Sequence, residues 1–160
     1  MGDGPSEIIL LIAGLIVAAL VSGVLLQSWD DMSGVLDERG KQGMEDVKTR
    51  VSLASDPINI GWEGNDTAIL SLQNSGDSFL DVDNVGVSLK GKIMTVTKNY
   101  PAATEWLPGE VVEFTIDGTS SGLTFASPAT HDVYLMVTVV STSGSYAGVD
   151  TLNEEVRISA

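Results

Sequence analysis

The stretch IILLIAGLIVAALVSGVLL, Ile8 to Leu26, holds no charged side chain, and its reading decides the rest of the chain. As an α-helix rising 1.5 Å per residue it is about 28 Å long, close to the roughly 30 Å hydrocarbon thickness of a bilayer. That length predicts a membrane span. Within it Gly14, Ala18 and Ser22 recur every fourth residue, which stacks small side chains on one helical face with Ala19 and Gly23 beside them. Hydrophobicity alone cannot pull helices together in lipid, so they associate where small residues let backbones approach. The small-residue stripe is therefore the expected helix-assembly face. A plain anchor for an outer domain satisfies the same composition. An export signal fits less well, because residues 1–7 carry Asp3 and Glu7 and no Lys or Arg, whereas such signals open with a basic region. Gln27-Ser28-Trp29 follows the run in place of a small-residue cleavage site. The segment is expected to stay in the working molecule.

Beyond Leu26 the helical spacing continues. Trp29, Met32, Leu36, Met44, Val47 and Val51 fall at three- and four-residue steps or their sums, with acidic and basic residues between them, which predicts an amphipathic extension. Gly34, Gly40 and Gly43 each weaken a helix by about 1 kcal/mol relative to Ala, so a bend or break is expected there. Asp56-Pro57 closes the segment, since proline pushes its predecessor out of helical geometry.

From about Arg50 the period changes from 3.6 to 2. Ala68, Leu70 and Leu72 alternate with more polar neighbours, as do Val85, Val87 and Leu89, and Val112, Phe114 and Ile116. A short strand is read over 93–97, and Trp106 falls in a loop bracketed by Pro101 and Pro108-Gly109. Strands of this length between turn signals argue for a two-sheet antiparallel sandwich. The strand from Asp132 to Ser141 is apolar on both sides, Val133, Leu135, Val137 and Val139 facing one way and Tyr134, Met136 and Val140 the other. Such a strand is either covered on both faces or presents Tyr134, Met136 and Val140 to a partner.

The net charge is −14, from 22 acidic against 8 basic residues. Nucleic acid is a poor partner for this balance, because binding it requires cationic groups against phosphates. With no Cys, neither a disulfide framework nor a thiolate metal site is available. His131, the single histidine, is read as an exposed loop residue beside Pro128, and nothing places a Ser or Thr nucleophile near it. No phosphate- or dinucleotide-binding glycine pattern is present, so no cofactor is expected. Asp77, Asp81, Asp83 and Asn84 form the densest oxygen-ligand cluster, but their spacing does not match a calcium-binding loop, and no metal site is assigned. These features describe a structural protein rather than an enzyme. Orientation stays open on residues alone. Arg39 and Lys41 after the span favour a cytoplasmic C-terminal part, while Asn65-Asp66-Thr67 is a glycosylation acceptor tripeptide, meaningful only outside the cytosol.

The segment SEIILLIAGLIVAALVSG, Ser6 to Gly23, resembles the N-terminal helix of archaeal type IV pilin-like proteins, archaellins and archaellum accessory proteins among them. Glu38-Arg39-Gly40-Lys41, the run to Ser55-Asp56-Pro57, and Leu70-Ser71-Leu72-Gln73-Asn74-Ser75-Gly76 look like the FlaG (ArlG) accessory family of the archaellum. That resemblance implies an α+β chain. Residues 1–49 would form a long type IV pilin-like membrane and assembly helix, and residues 50–160 an immunoglobulin-like antiparallel β-sandwich in the pseudoperiplasm. It also implies a stator-type part of the archaeal motility machinery. Such a part self-associates, acts with a sister protein, FlaF (ArlF), and is attached to the S-layer. The alternative within the superfamily is a filament-forming archaellin or an adhesive pilin. Those usually carry Lys-Gly or Arg-Gly before the apolar helix, and Met1-Gly2-Asp3-Gly4 has no such site. Glu7 stands where pilin-like proteins often carry an acidic residue, and compensation of the helix dipole is an equally good reason for it.

Overall fold

A computed structural model describes residues 3–100, 104–142 and 145–160. One α-helix, α1 (Asp3–Lys48), is followed by nine strands: β1 (Val51–Leu53), β2 (Ile60–Gly61), β3 (Thr67–Asn74), β4 (Gly86–Leu89), β5 (Lys92–Ile93), β6 (Thr95–Tyr100), β7 (Val111–Asp117), β8 (Thr130–Val140) and β9 (Val149–Ser159). The chain divides into two units, Met1–Gly40 and Lys41–Ala160.

α1 runs without interruption through Gly34, Gly40 and Gly43, where the sequence led us to expect a bend or break. Glycine lowers helix stability but keeps its N–H, so the hydrogen-bond ladder survives where a proline would interrupt it. The flanking residues are mostly good helix formers.

The second unit is the two-sheet sandwich expected from the strand spacing. One sheet has the order β1-β3-β7-β6 and the other β2-β9-β8-β4-β5. Neighbours are antiparallel except β2 and β9, where Ile60 lies beside Ile158 in parallel. The alternation in β3 maps directly onto burial: Ala68, Leu70 and Leu72 point into the core while Ile69 is exposed. Their partners on β7 are Ile116, Phe114 and Val112, all fully buried. Leu135, Val137 and Val139 of β8 and Val156 and Ile158 of β9 close the core from the opposite sheet. Each such side chain contributes roughly 1.5–3 kcal/mol by leaving water.

The strand read over 93–97 is two strands in different sheets. Met94 is the crossing point: its N–H donates to the Val87 carbonyl at 2.9 Å and its side chain is buried. Trp106, read as a loop residue, is fully buried in a bridge to Leu80, its ring tilted against Phe114 at 5.5 Å and its Nε1 donating to the Glu110 carbonyl at 2.8 Å. His131 lies in β8, not in a loop, and is half-buried against the Phe125 ring at 5.1 Å.

Candidate functional site

Every residue of the predicted assembly face lies on α1. Gly14, Ala18 and Ser22, with Ala19 and Gly23 beside them, are exposed, as are the large apolar side chains from Ile8 to Leu26. A Cβ added at Gly14 or Gly23 would meet nothing within 4 Å. Glu7 is exposed near the start of the helix, where an acid offsets the partial positive charge of the terminus.

The last two turns of α1 belong to the second unit. The extension was read as amphipathic, with Met44 and Val47 among its apolar residues. Those two side chains are 59% and 68% exposed, and the helix meets the sandwich through polar groups. Gln42 Nε2 donates to the Ala147 carbonyl at 2.7 Å. Asp46 Oδ1 accepts the Val149 N–H at 3.0 Å, and Glu45 Oε2 accepts the Ser78 hydroxyl at 3.1 Å. The physical reason lies at this end of the sandwich, where loops present unpaired N–H and carbonyl groups that an apolar side chain would bury unsatisfied.

The helix terminus is closed by the same loops. A helix leaves its last carbonyls without internal partners. Here the Lys48 carbonyl accepts the N–H groups of Asp77 and Ser78 at 2.8 and 3.3 Å, and the Thr49 N–H and hydroxyl both reach the Glu45 carbonyl, at 2.9 and 2.7 Å. Just beyond, the Val51 N–H donates to Asp150 Oδ2 at 2.9 Å. Two glycines permit this approach. A Cβ on Gly76 would collide with the Lys48 carbonyl, and one on Gly148 would collide with the Glu45 carbonyl and the Thr49 hydroxyl. We call this ring of contacts the collar. Sequence reasoning missed it because its residues come from three separated segments and share no period.

At the centre of the collar is Asn74, fully buried. Its Nδ2 donates to the carbonyls of Ser78 at 2.8 Å and Trp106 at 3.0 Å, and its Oδ1 accepts the Gly76 N–H at 3.1 Å. One amide thereby holds the loop that receives the helix end to the loop that carries the buried tryptophan.

On β8, Tyr134 is 71% and Met136 42% exposed, while Val140 is half-buried. Exposed Ile93 lies across Ser88, which pairs with Met136, so the three side chains share the outer face of the five-stranded sheet. Asn65 is exposed in the turn before β3. The acidic cluster is internally bonded: Asp81 accepts the Asp83 N–H at 2.9 Å and the Asn84 amide at 2.6 Å. Those bonds, from the Asn84 side chain first, hold the Asp81 carboxyl below its usual pKa. Asp77 stands apart at the collar. Among the described residues, no three His, Asp or Glu side chains are grouped so as to hold a metal ion.

The archaeal-type flagellin family model matches residues 3–150. Flagella-related protein G of Methanococcus voltae is 30% identical over 97 residues, a match covering 59% of this chain and 65% of that protein, slightly under two thirds of its length. Among solved structures, AggA, the major subunit of aggregative adherence fimbriae type I of Escherichia coli, aligns over 69% of this chain and 93% of its own at 7% identity, with a TM-score of 0.33. That last likeness is too distant to bear on fold or function. The family match is of another order, because it begins at the first residue of α1, takes in the apolar helix and both sheets, and ends inside β9. The chain belongs to the archaeal-type flagellin family.

Proposed function

We propose that this chain is a structural component of the archaellum, held in the cell membrane by Ile8–Leu26 with its β-sandwich head in the pseudoperiplasm. Copies associate through the Gly14, Ala18 and Ser22 face, and the outer face of β8 around Tyr134, Met136 and Val140 contacts a further envelope component. The observation that carries this reading is the exposure of an uncharged helical surface of bilayer length in a member of the flagellin family. A surface of that size is stable only against lipid or other helices. The polar collar supports the same reading, since it docks the helix end to the head without using Met44 or Val47. These stay available, with Trp29, Met32 and Leu36, for a neighbouring helix. A stator role beside FlaF, attached to the S-layer, is the specific form of this function.

A second reading, a filament subunit, is favoured by the family match itself, since that model describes flagellins. Shearing filaments from cells separates the two. The stator reading expects the chain in the membrane fraction and absent from sheared filaments, and its recovery as a major filament protein would replace that reading.

The span has its own test. Trp29 is 75% exposed and immediately precedes Asp30-Asp31, so it is placed at the interface where tryptophan is favoured. Trp62 and Trp106 are buried in the head. Lipids brominated in the acyl chains should therefore quench Trp29 emission alone in the reconstituted full chain, and Trp29→Phe should abolish the quenching. Quenching that persists in Trp29→Phe, or none at all, would refute a membrane exit at this residue.

A further inference from the structure

The β4–β5 hairpin turns at Lys90-Gly91, where both residues have positive φ, 53° and 76°. A two-residue turn of this hand is usually filled by Asn, Asp or Gly, because other side chains are crowded in the left-handed region. Backbone outliers of this kind cluster at functional sites. The turn sets Lys90 beside exposed Tyr134, whose carbonyl accepts the Lys90 N–H at 3.0 Å. Neighbouring cations are already engaged. Lys92 Nζ donates to the carbonyls of Ser121 and Gly122, both at 3.1 Å, Lys98 lies 3.4 Å from Asp83, and Arg157 lies 2.7 Å from Asp132. Among the described residues nothing engages the Lys90 ammonium group.

Next to this cation the outer face of the five-stranded sheet is hollowed. Gly86 and Ser88 of β4 leave a low floor, with Ile93 of β5 on one side and Met136 and Thr138 of β8 on the other, and together they bound a cavity of about 180 Å³. Small-molecule sites run from about 300 Å³ upward, so this trough is too small for such a ligand and suits a single large side chain.

We propose that the trough seats one large apolar side chain of a different envelope protein, with a carboxylate of that protein on Lys90. The proposal rests on the reading of the β8 face as a contact surface and adds the chemistry of the partner. Charge fixes which way round the partner sits. Glu155 lies across Tyr134 on β9, so a carboxylate is repelled on that side and drawn to the β5 side. The net charge of −14 does not prevent this, since charges more than about 8–10 Å away are largely screened and the near one is Lys90. Tyr134 between them is of the residue type enriched at the centre of protein interfaces.

The test is photo-cross-linking in archaeal cells, with the full chain carrying benzoylphenylalanine in place of Asn153, an exposed residue opposite Met136 and outside the trough. The expected result is an adduct with a different protein, whose linked peptide holds Asp or Glu close to a large apolar residue. Its yield should fall about tenfold or more in Ser88→Leu, which fills the trough, and in Lys90→Glu, and should hold in Lys90→Arg. Ile93→Ala, which removes one wall without adding bulk, should lower the yield as well and covers the case in which Ser88→Leu disturbs the sheet. An adduct insensitive to Lys90→Glu, or to both trough variants, overturns the proposal and leaves the contact surface standing. Adducts only with lipid or with a second copy overturn the partner named here. The absence of any adduct overturns the contact surface together with the proposal.

Discussion

Asn74→Ala should lower the unfolding midpoint of the head by about 10–15 °C, measured by near-ultraviolet circular dichroism of the full chain in detergent. The residue is fully buried and its amide serves three backbone groups, the carbonyls of Ser78 and Trp106 and the N–H of Gly76. The Trp106 carbonyl keeps a second partner in the Leu80 N–H, so it is not orphaned. The Ser78 carbonyl and the Gly76 N–H, both half-buried, lose the Asn74 amide as their partner, at about 1–2 kcal/mol each. A total near 3 kcal/mol corresponds to the stated shift for a domain of this size. Asn74→Asp distinguishes this account from simple loss of volume. A carboxylate has the same shape but would face two carbonyl oxygens, so its charged form is disfavoured and its pKa should rise above that of the unfolded chain. Its deficit should therefore be larger at pH 7 than at pH 4, where the protonated acid can donate to one of those carbonyls. Equal midpoints for wild type and Asn74→Ala would show that the collar is not held by this amide.

How far the sequence alone reaches is visible in particular residues. α1 was legible because an uncharged run of bilayer length has few other meanings, and β3 and β7 because Ala68, Leu70 and Leu72, and Val112, Phe114 and Ile116, alternate with a strict period of two. β1 and β2 were not legible, since strands of three and two residues are too short to show any period. The passage of the chain from one sheet to the other at Met94 leaves no mark in hydropathy, because both flanking strands and the crossing residue are compatible with one extended run. The collar was invisible for a different reason. Gln42, Glu45 and Asp46 read as a solvated helix face, and only the loops bearing Ser78, Ala147 and Val149 turn that face into a docking surface. Patterns of burial can be read from sequence; polar complementarity between distant segments cannot. The small-residue stripe sits between these cases, legible as a pattern but silent about its partner.

Gly14→Leu combined with Ala18→Leu should weaken self-association of the full chain at least tenfold in detergent, about 1.4 kcal/mol or more, and should abolish swimming in cells that depend on this copy. Leucine is as apolar as the residues around it, so the change leaves membrane insertion intact or strengthens it. What it alters is the closest approach of two backbones. With glycine and alanine one helical step apart, helices can come near enough for extensive van der Waals contact along the stripe, and two leucines per helix force them apart. A Cβ added at Gly14 meets nothing within 4 Å, so a loss of association reports on contact with a neighbouring copy. Ile16→Leu supplies the control. Residue 16 lies about 200° around the helix from residue 14, on the side away from the small-residue stripe, and its substitution should leave both association and swimming unchanged. Should Ile16→Leu dissociate the protein as strongly, or Gly14→Leu/Ala18→Leu remain fully associated in detergent and in lipid, the stripe is not the seam between copies. The exposed residues Trp29, Met32 and Leu36, which follow the apolar run, would then be the surface to substitute next.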